Sequence, residues 1–224
     1  MSDLHLPCVE VQPKRAAEAT VIFLHGLGAD GHDFEPVVPF FGLPPGHGVR
    51  FVFPHAPSRP VTVNAGMVMP AWFDVRGMDL AQAPDAHGIE SSSHLIRTLL
   101  AREAERGIPP ERTVLGGFSQ GGAMALQVGL TYPQRLAGIL GLSCYLPLPD
   151  RVHGAPEAAN RKTPIFLAHG TEDDMVLLPR GEAARDHLLG LGYKVEWRTY
   201  AMAHQVDAQE IVDIGEWLKK RLLD

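Results

Sequence analysis

The chain has 224 residues, 45% of them hydrophobic, with 26 acidic against 20 basic side chains and a formal net charge of -6. Mild acidity argues against a nucleic-acid binder, which presents a basic face, and no apolar run approaches the roughly 18 residues of a membrane-spanning helix. Cys8 and Cys144 are too few for a disulfide framework and, with no basic and apolar leader in Met1–His5, point to a cytoplasmic setting.

This length suits one domain spanning residues 1–224 that buries roughly 70–75% of its unfolded surface. In chain order, Leu4–Val11 reads as an edge strand, and Ala19–Leu24 as a buried strand running into the glycine turn His25-Gly26-Leu27-Gly28. Val49–Phe53 is a second buried strand, ended by Pro54. Ile89–Arg106 carries Leu95, Leu99, Ala101 and Ala104 near helical spacing, with Ser91–Ser93 as cap candidates and Gly107 past the last turn. Thr113–Gly116 predicts a strand, Ala123–Leu130 a helix stopping before Pro133, and Leu136–Leu142 and Pro164–Ala168 two more strands. Gly181–Leu191 reads as a helix ended by Gly192, and Lys194–Tyr200 as the last strand. Ile211, Ile214, Leu218 and Leu222 mark an amphipathic C-terminal helix whose basic end suits the helix dipole. Continuous apolar runs alternating with helices predict an α/β fold with a mostly parallel central sheet and helices on both faces.

Residues 54–88 fit neither period. Five prolines there, with Met67, Val68, Met69, Trp72 and Phe73 among them, suggest a long substrate-side loop. The 23 glycines and 19 prolines of the whole chain likewise indicate many fixed loops on an ordered scaffold.

The strand Thr113–Gly116 runs into Gly117-Phe118-Ser119-Gln120-Gly121 and then a helix, which is G-x-S-x-G in strand–turn–helix context. Such a turn is so sharp that side chains two residues either side of the serine would clash. Its product is an exposed hydroxyl at a helix N-terminus, where a developing anion is favoured. A serine needs a base held by a third group, and in this arrangement the order is serine, acid, histidine. Glu172, Asp173 and Asp174 follow the strand Pro164–Ala168, and His204 lies in the loop before the last helix. Spacing alone leaves the three acids open. Backbone donors for a carbonyl oxyanion would come from Leu27 and Gln120. Asp74, which precedes the serine, reads as a loop tie. Met67, Trp72, Phe73, Val176 and Leu177 are candidates for the substrate groove.

Gly26-x-Gly28-x-x-Gly31 also matches a dinucleotide fingerprint, but the next strand ends in Phe53-Pro54-His55-Ala56 without the acid that would hold a ribose. No phosphate-loop, H-E-x-x-H or paired C-x-x-C pattern is present, so no cofactor and no metal is expected.

The stretches HGLGADGHDF at 25–34, PHAPSRPVTVN at 54–64, MPAWFDV at 69–75, LGGFSQGGAMAL at 115–126, LSCYLPLP at 142–149 and the H-G-x-x-D turn from His169 resemble the phospholipase/carboxylesterase family of serine hydrolases. That group includes bacterial carboxylesterases and acyl-protein thioesterases. The resemblance implies an α/β-hydrolase fold with Ser119 as nucleophile and His204 as base. It also chooses Asp173 among the acids, since the fifth residue of H-G-x-x-D carries that role; Asp174 departs from the proline many relatives have there. The expected activity is carboxylesterase, with acyl-protein thioesterase or lysophospholipase as the alternative and a non-catalytic binding module as the rival of a different class. The expected partner is a small acyl ester or thioester, and exposed apolar loop residues permit a homodimer.

Overall fold

The computed structural model describes residues 6–77, 84–152 and 159–223. The first residues of the expected edge strand and six residues of the 54–88 region lie outside these.

Seven strands form one sheet: β1 (Cys8–Val11), β2 (Ala19–Leu24), β3 (Val49–Pro54), β6 (Thr113–Phe118), β7 (Gly138–Leu142), β8 (Ile165–Gly170) and β9 (Val195–Tyr200). Their spatial order is β1-β3-β2-β6-β7-β8-β9. Every pairing is parallel except β1 with β3, which runs antiparallel at the edge with Cys8 opposite Pro54 and Val11 opposite Phe51. Glu10 on that edge strand bonds Arg102 at 3.0 Å and Arg106 at 2.8 Å, fastening it to the helix behind.

Strand side chains alternate between two cores, as a two-faced sheet requires. Ile22, Leu24, Leu115, Ile139 and Leu167 meet α1 (Ala86–Glu105), α2 (Gln120–Thr131) and α3 (Leu178–Gly190) on one face. Val21, Phe23, Phe51, Leu140 and Phe166 meet α4 (Ala208–Leu222) and the 3-10 segment Glu35–Phe41 on the other. Among the described residues, α-helices therefore cover both faces, three against one.

Two expectations need correction. The helix expected from Ile89 begins at Ala86, and its cap is Asp85, whose carboxylate accepts from the Gly88 amide at 3.0 Å, rather than a serine of 91–93. The 54–88 region is not all loop: β4 (Ser58–Val61) and β5 (Met67–Pro70) form an antiparallel hairpin. Pro60 and Pro70 hid it, because proline is found in two-stranded or edge pairs and not in central strands. Asp74 ties this hairpin down by accepting from both the Thr62 amide and hydroxyl at 2.7 Å.

One buried acid has a consequence for stability. Asp207 caps α4 by accepting from the Glu210 amide at 2.9 Å, but the Glu210 carboxyl itself is fully buried and has no cation paired with it among the described residues. Burial outweighs the Asp207 backbone hydrogen bond, which favours the ionised form, and with the nearby Asp207 and Asp213 charges pushes the pKa from 4.5 up to about 8. A folded-state pKa above the unfolded value means stability is fully present below about pH 4.5 and is lost as pH rises through 8. Urea unfolding at pH 5 and pH 9 should therefore show Glu210→Gln close to the native chain at pH 5 and about 3–5 kcal/mol more stable at pH 9. A difference between the two proteins that does not change with pH would contradict this.

Candidate active site

The serine turn follows from sterics. Ser119, between β6 and α2, has φ 54° and ψ -120°, a conformation costing about 1–3 kcal/mol for a residue with a Cβ. Close neighbours hold it there: its amide donates to the Leu142 carbonyl at 2.8 Å, and its carbonyl accepts from the Ala123 amide at 3.0 Å. A Cβ on Gly117 would lie 2.4 Å from the backbone of Gly121, and one on Gly121 would lie 2.1 Å from the Leu24 carbonyl oxygen. The two glycines of the motif are thus required by backbone on both sides.

Two further loops leave the same end of the sheet, after β8 and β9, and they are bonded to each other. The Thr171 amide donates to the Tyr200 carbonyl at 2.8 Å and the Glu172 amide to the Met202 carbonyl at 3.0 Å. This brings Asp173 to His204. Asp173 Oδ2 stands 2.7 Å from His204 Nδ1, and His204 Nε2 stands 2.8 Å from Ser119 Oγ. An ionised carboxylate only accepts, so Nδ1 carries the proton and Nε2 is left to accept from the hydroxyl. The other carboxylate oxygen accepts from the Met175 and Val176 amides at 3.0 and 2.8 Å, and the side chain is fully buried. Glu172 and Asp174, the alternatives by spacing, are exposed. The Phe118 ring packs on the imidazole with centroids 4.8 Å apart. A hydroxyl against an imidazole that is held from behind by a carboxylate is the arrangement that activates a weak nucleophile.

A groove of about 560 Å³ opens over Ser119. Leu27 and Gln120 both line it. Gln120 is the first residue of α2, so its amide has no partner within the helix. Its side chain does more than expected from sequence: Oε1 accepts from the Trp72 amide and Nε2 donates to the Phe73 carbonyl, each at 2.8 Å. That pair of bonds anchors the segment after the hairpin to the serine turn.

Of the five expected groove residues, only Val176 lines it. Trp72 and Phe73 are core residues, 0% and 2% exposed, with the Trp72 indole donating to the His25 carbonyl at 2.9 Å. Met67 on β5 and Leu177 before α3 are exposed and lie outside the groove lining. The apolar lining comes from Leu27, Val63, Val75, Phe118, Tyr145 and Met175, with Asp33, Asn64 and Arg180 as polar members. Phe118 and Gln120 were legible as flanks of the serine, and Tyr145 falls within the LSCYLPLP stretch at 142–149. Val63 and Val75 carried no signal, because the hairpin that places them was hidden.

The glycines of the dinucleotide-like motif have other duties. Gly28 has φ 77° and donates to the Pro70 carbonyl at 2.9 Å, and a Cβ on Gly31 would sit 2.5 Å from the Phe53 carbonyl oxygen. The segment that follows is the 3-10 turn Glu35–Phe41, not the α-helix that a pyrophosphate would need.

Comparison with known proteins agrees with the architecture. Residues 6–222 match the model of the family described as phospholipase/carboxylesterase. An acyl-protein thioesterase 1 of Gibberella zeae is 44% identical over 215 residues, covering 91% of each chain, and one of Yarrowia lipolytica is 38% identical over 224 residues, covering 96% of this chain and 97% of its own. The crystal structure of Zea mays acyl-protein thioesterase 2 superposes with a TM-score of 0.85 at 30% identity, over 97% of this chain and all of that one. The chain belongs to the phospholipase/carboxylesterase family of α/β-hydrolases.

Proposed function

We propose that the protein hydrolyses acyl thioesters, and the matching oxygen esters, through Ser119, His204 and Asp173. The observation that carries this reading is the continuous chain of contacts from Ser119 Oγ to His204 Nε2 at 2.8 Å and from Nδ1 to Asp173 Oδ2 at 2.7 Å. His204 takes the hydroxyl proton as Oγ attacks the acyl carbonyl, and the imidazolium then gives that proton to the departing thiol or alcohol. A water activated by the same ring attacks the acyl-enzyme and releases the acid. Asp173 fixes the imidazole tautomer and stabilises its positive charge. Amides of Leu27 and Gln120 receive the oxyanion, each donor contributing about 3 kcal/mol to the transition state.

Sequence reading alone placed carboxylesterase first. Two relatives named acyl-protein thioesterase 1, at 44% and 38% identity, favour the thioesterase instead. A groove whose walls are mainly Leu27, Val63, Val75, Phe118, Tyr145 and Met175 suits an acyl chain. The test is one kinetic panel of short and long acyl esters, a palmitoylated peptide thioester and a lysophospholipid, run beside labelling with a fluorophosphonate probe. The expected result is labelling at Ser119 and the highest kcat/KM on the long-chain thioester. Turnover of short, water-soluble esters alone would remove the thioesterase reading, and an unlabelled Ser119 in folded protein would remove the hydrolase mechanism.

A further inference from the structure

A second histidine stands against the carboxylate that holds His204. His169, next to the end of β8, is fully buried. Its Nε2 lies 2.6 Å from the Val176 carbonyl oxygen and 3.5 Å from Asp173 Oδ2. Both neighbours are acceptors, so Nε2 carries the proton and shares it unequally, mostly with Val176. Nδ1 is then the bare nitrogen, buried without a hydrogen-bond partner among the described residues.

The Val176 peptide is gripped at both ends. Its amide donates to Asp173 Oδ1 at 2.8 Å while its carbonyl accepts from His169. The loop 173–176 therefore closes as a clamp: His169 fixes Val176, Val176 and Met175 fix one oxygen of Asp173, and the other oxygen is left for His204. The surroundings are shaped to hold the ring still. Trp197 of β9 packs beside it with centroids 6.2 Å apart, and α3 passes so near that a Cβ on Gly181 would lie 2.4 Å from His169 Nδ1. Trp197 and Gly181 are themselves uncharged, with Arg185 of α3 lying over the Trp197 ring, and the charged group in contact with the imidazole is Asp173.

We propose that His169 is a positioning residue of the reaction, acting through the Val176 carbonyl and Asp173 to keep the carboxylate aligned on His204. It touches neither substrate nor Ser119 and transfers no proton. A neutral ring in this tautomer offers one N–H, enough to hold the loop, without placing a positive charge that would compete with His204 for Asp173. The proposal rests on the hydrolase reading above.

The test compares His169→Phe, which keeps the ring volume and removes the donor, with His169→Gln, whose amide nitrogen reaches near the position of Nε2. Because misplacement of a catalytic group by about 1 Å costs on the order of 100-fold, His169→Phe should lower kcat by about 10- to 100-fold with KM within about twofold, and fluorophosphonate labelling of Ser119 should slow in parallel. His169→Gln should recover kcat to within about fivefold of the native enzyme. A folded His169→Phe protein with native kcat and labelling rate overturns the proposal, as does loss of activity that Gln does not restore. If the Phe variant does not fold, nitrogen-15 NMR of the native protein decides: the proton must sit on Nε2 of His169, and an Nδ1–H tautomer sinks the idea. Failure of the hydrolase reading looks different, since then native protein itself is not labelled and Ser119→Ala leaves turnover unchanged.

Discussion

Asp173→Asn should lower kcat by about 10³- to 10⁴-fold while leaving the fold intact, as expected when the orienting acid of such a triad is replaced by its amide. The carboxylate oxygen facing His204 is 2.7 Å away and accepts a hydrogen bond from the proton that the ring must keep on Nδ1. An asparagine that turns its amide nitrogen to this position presents N–H instead, so Nδ1 would have to accept and the ring proton would move to Nε2. That nitrogen then points a proton at the Ser119 hydroxyl 2.8 Å away and cannot take one from it. The asparagine oxygen can still receive the Met175 and Val176 amides, so the loop is kept and the loss is chemical, not structural. Glu172→Gln and Asp174→Asn are the informative controls. Both positions are exposed, and each variant should stay within about twofold of native kcat. Steady-state kinetics on a single thioester with all three proteins, beside far-UV circular dichroism, decides it. Equal loss in Asp174→Asn would show that the two adjacent acids share the role.

These three acids also mark where the sequence was and was not readable. An acid after a late strand is visible from order alone, because the chemistry demands it. Which of Glu172, Asp173 and Asp174 turns inward depends on a loop bonded to Tyr200 at the end of β9 and to Met202 in the loop after it, and only a family resemblance could choose. The central strands were legible for a related reason. Buried on both faces, β2, β7 and β8 are apolar at nearly every position, whatever their neighbours. The hairpin β4–β5 has no such signature, being exposed along much of its length and carrying proline in both strands. Aromatic character was misread for a similar reason. Trp72 and Phe73 announce burial, but burial in the core under the serine turn and burial in a groove are alike in composition, and it is the bonds from Gln120 and to the His25 carbonyl that distinguish them.

Gly121→Ala should be the most damaging single methyl that can be added to the chain near the site, and it separates the two meanings of a glycine in a helix. Gly121 is the second residue of α2, where alanine is ordinarily the better helix former by about 1 kcal/mol. Here the added Cβ would lie 2.1 Å from the Leu24 oxygen and 2.5 Å from the His25 oxygen, both backbone atoms at the end of β2. No rotamer change relieves a clash with main chain, so either α2 must lift from the sheet or the turn leading to Leu27 must move. Both carry parts of the groove. Overpacking of this kind costs about 1–3 kcal/mol, occasionally more, and the absence of any soft neighbour puts the expected loss at or above the upper end. Gly190→Ala supplies the contrast. It ends α3, and nothing lies within 4 Å of the added carbon. There the same substitution should raise stability by about 0.5–1 kcal/mol. Thermal or urea unfolding of the two variants should therefore move in opposite directions from the native chain, with fluorophosphonate labelling of Ser119 lost in Gly121→Ala and native in Gly190→Ala. If Gly121→Ala unfolds at the native midpoint, the close approach of α2 to β2 is not what fixes the serine turn.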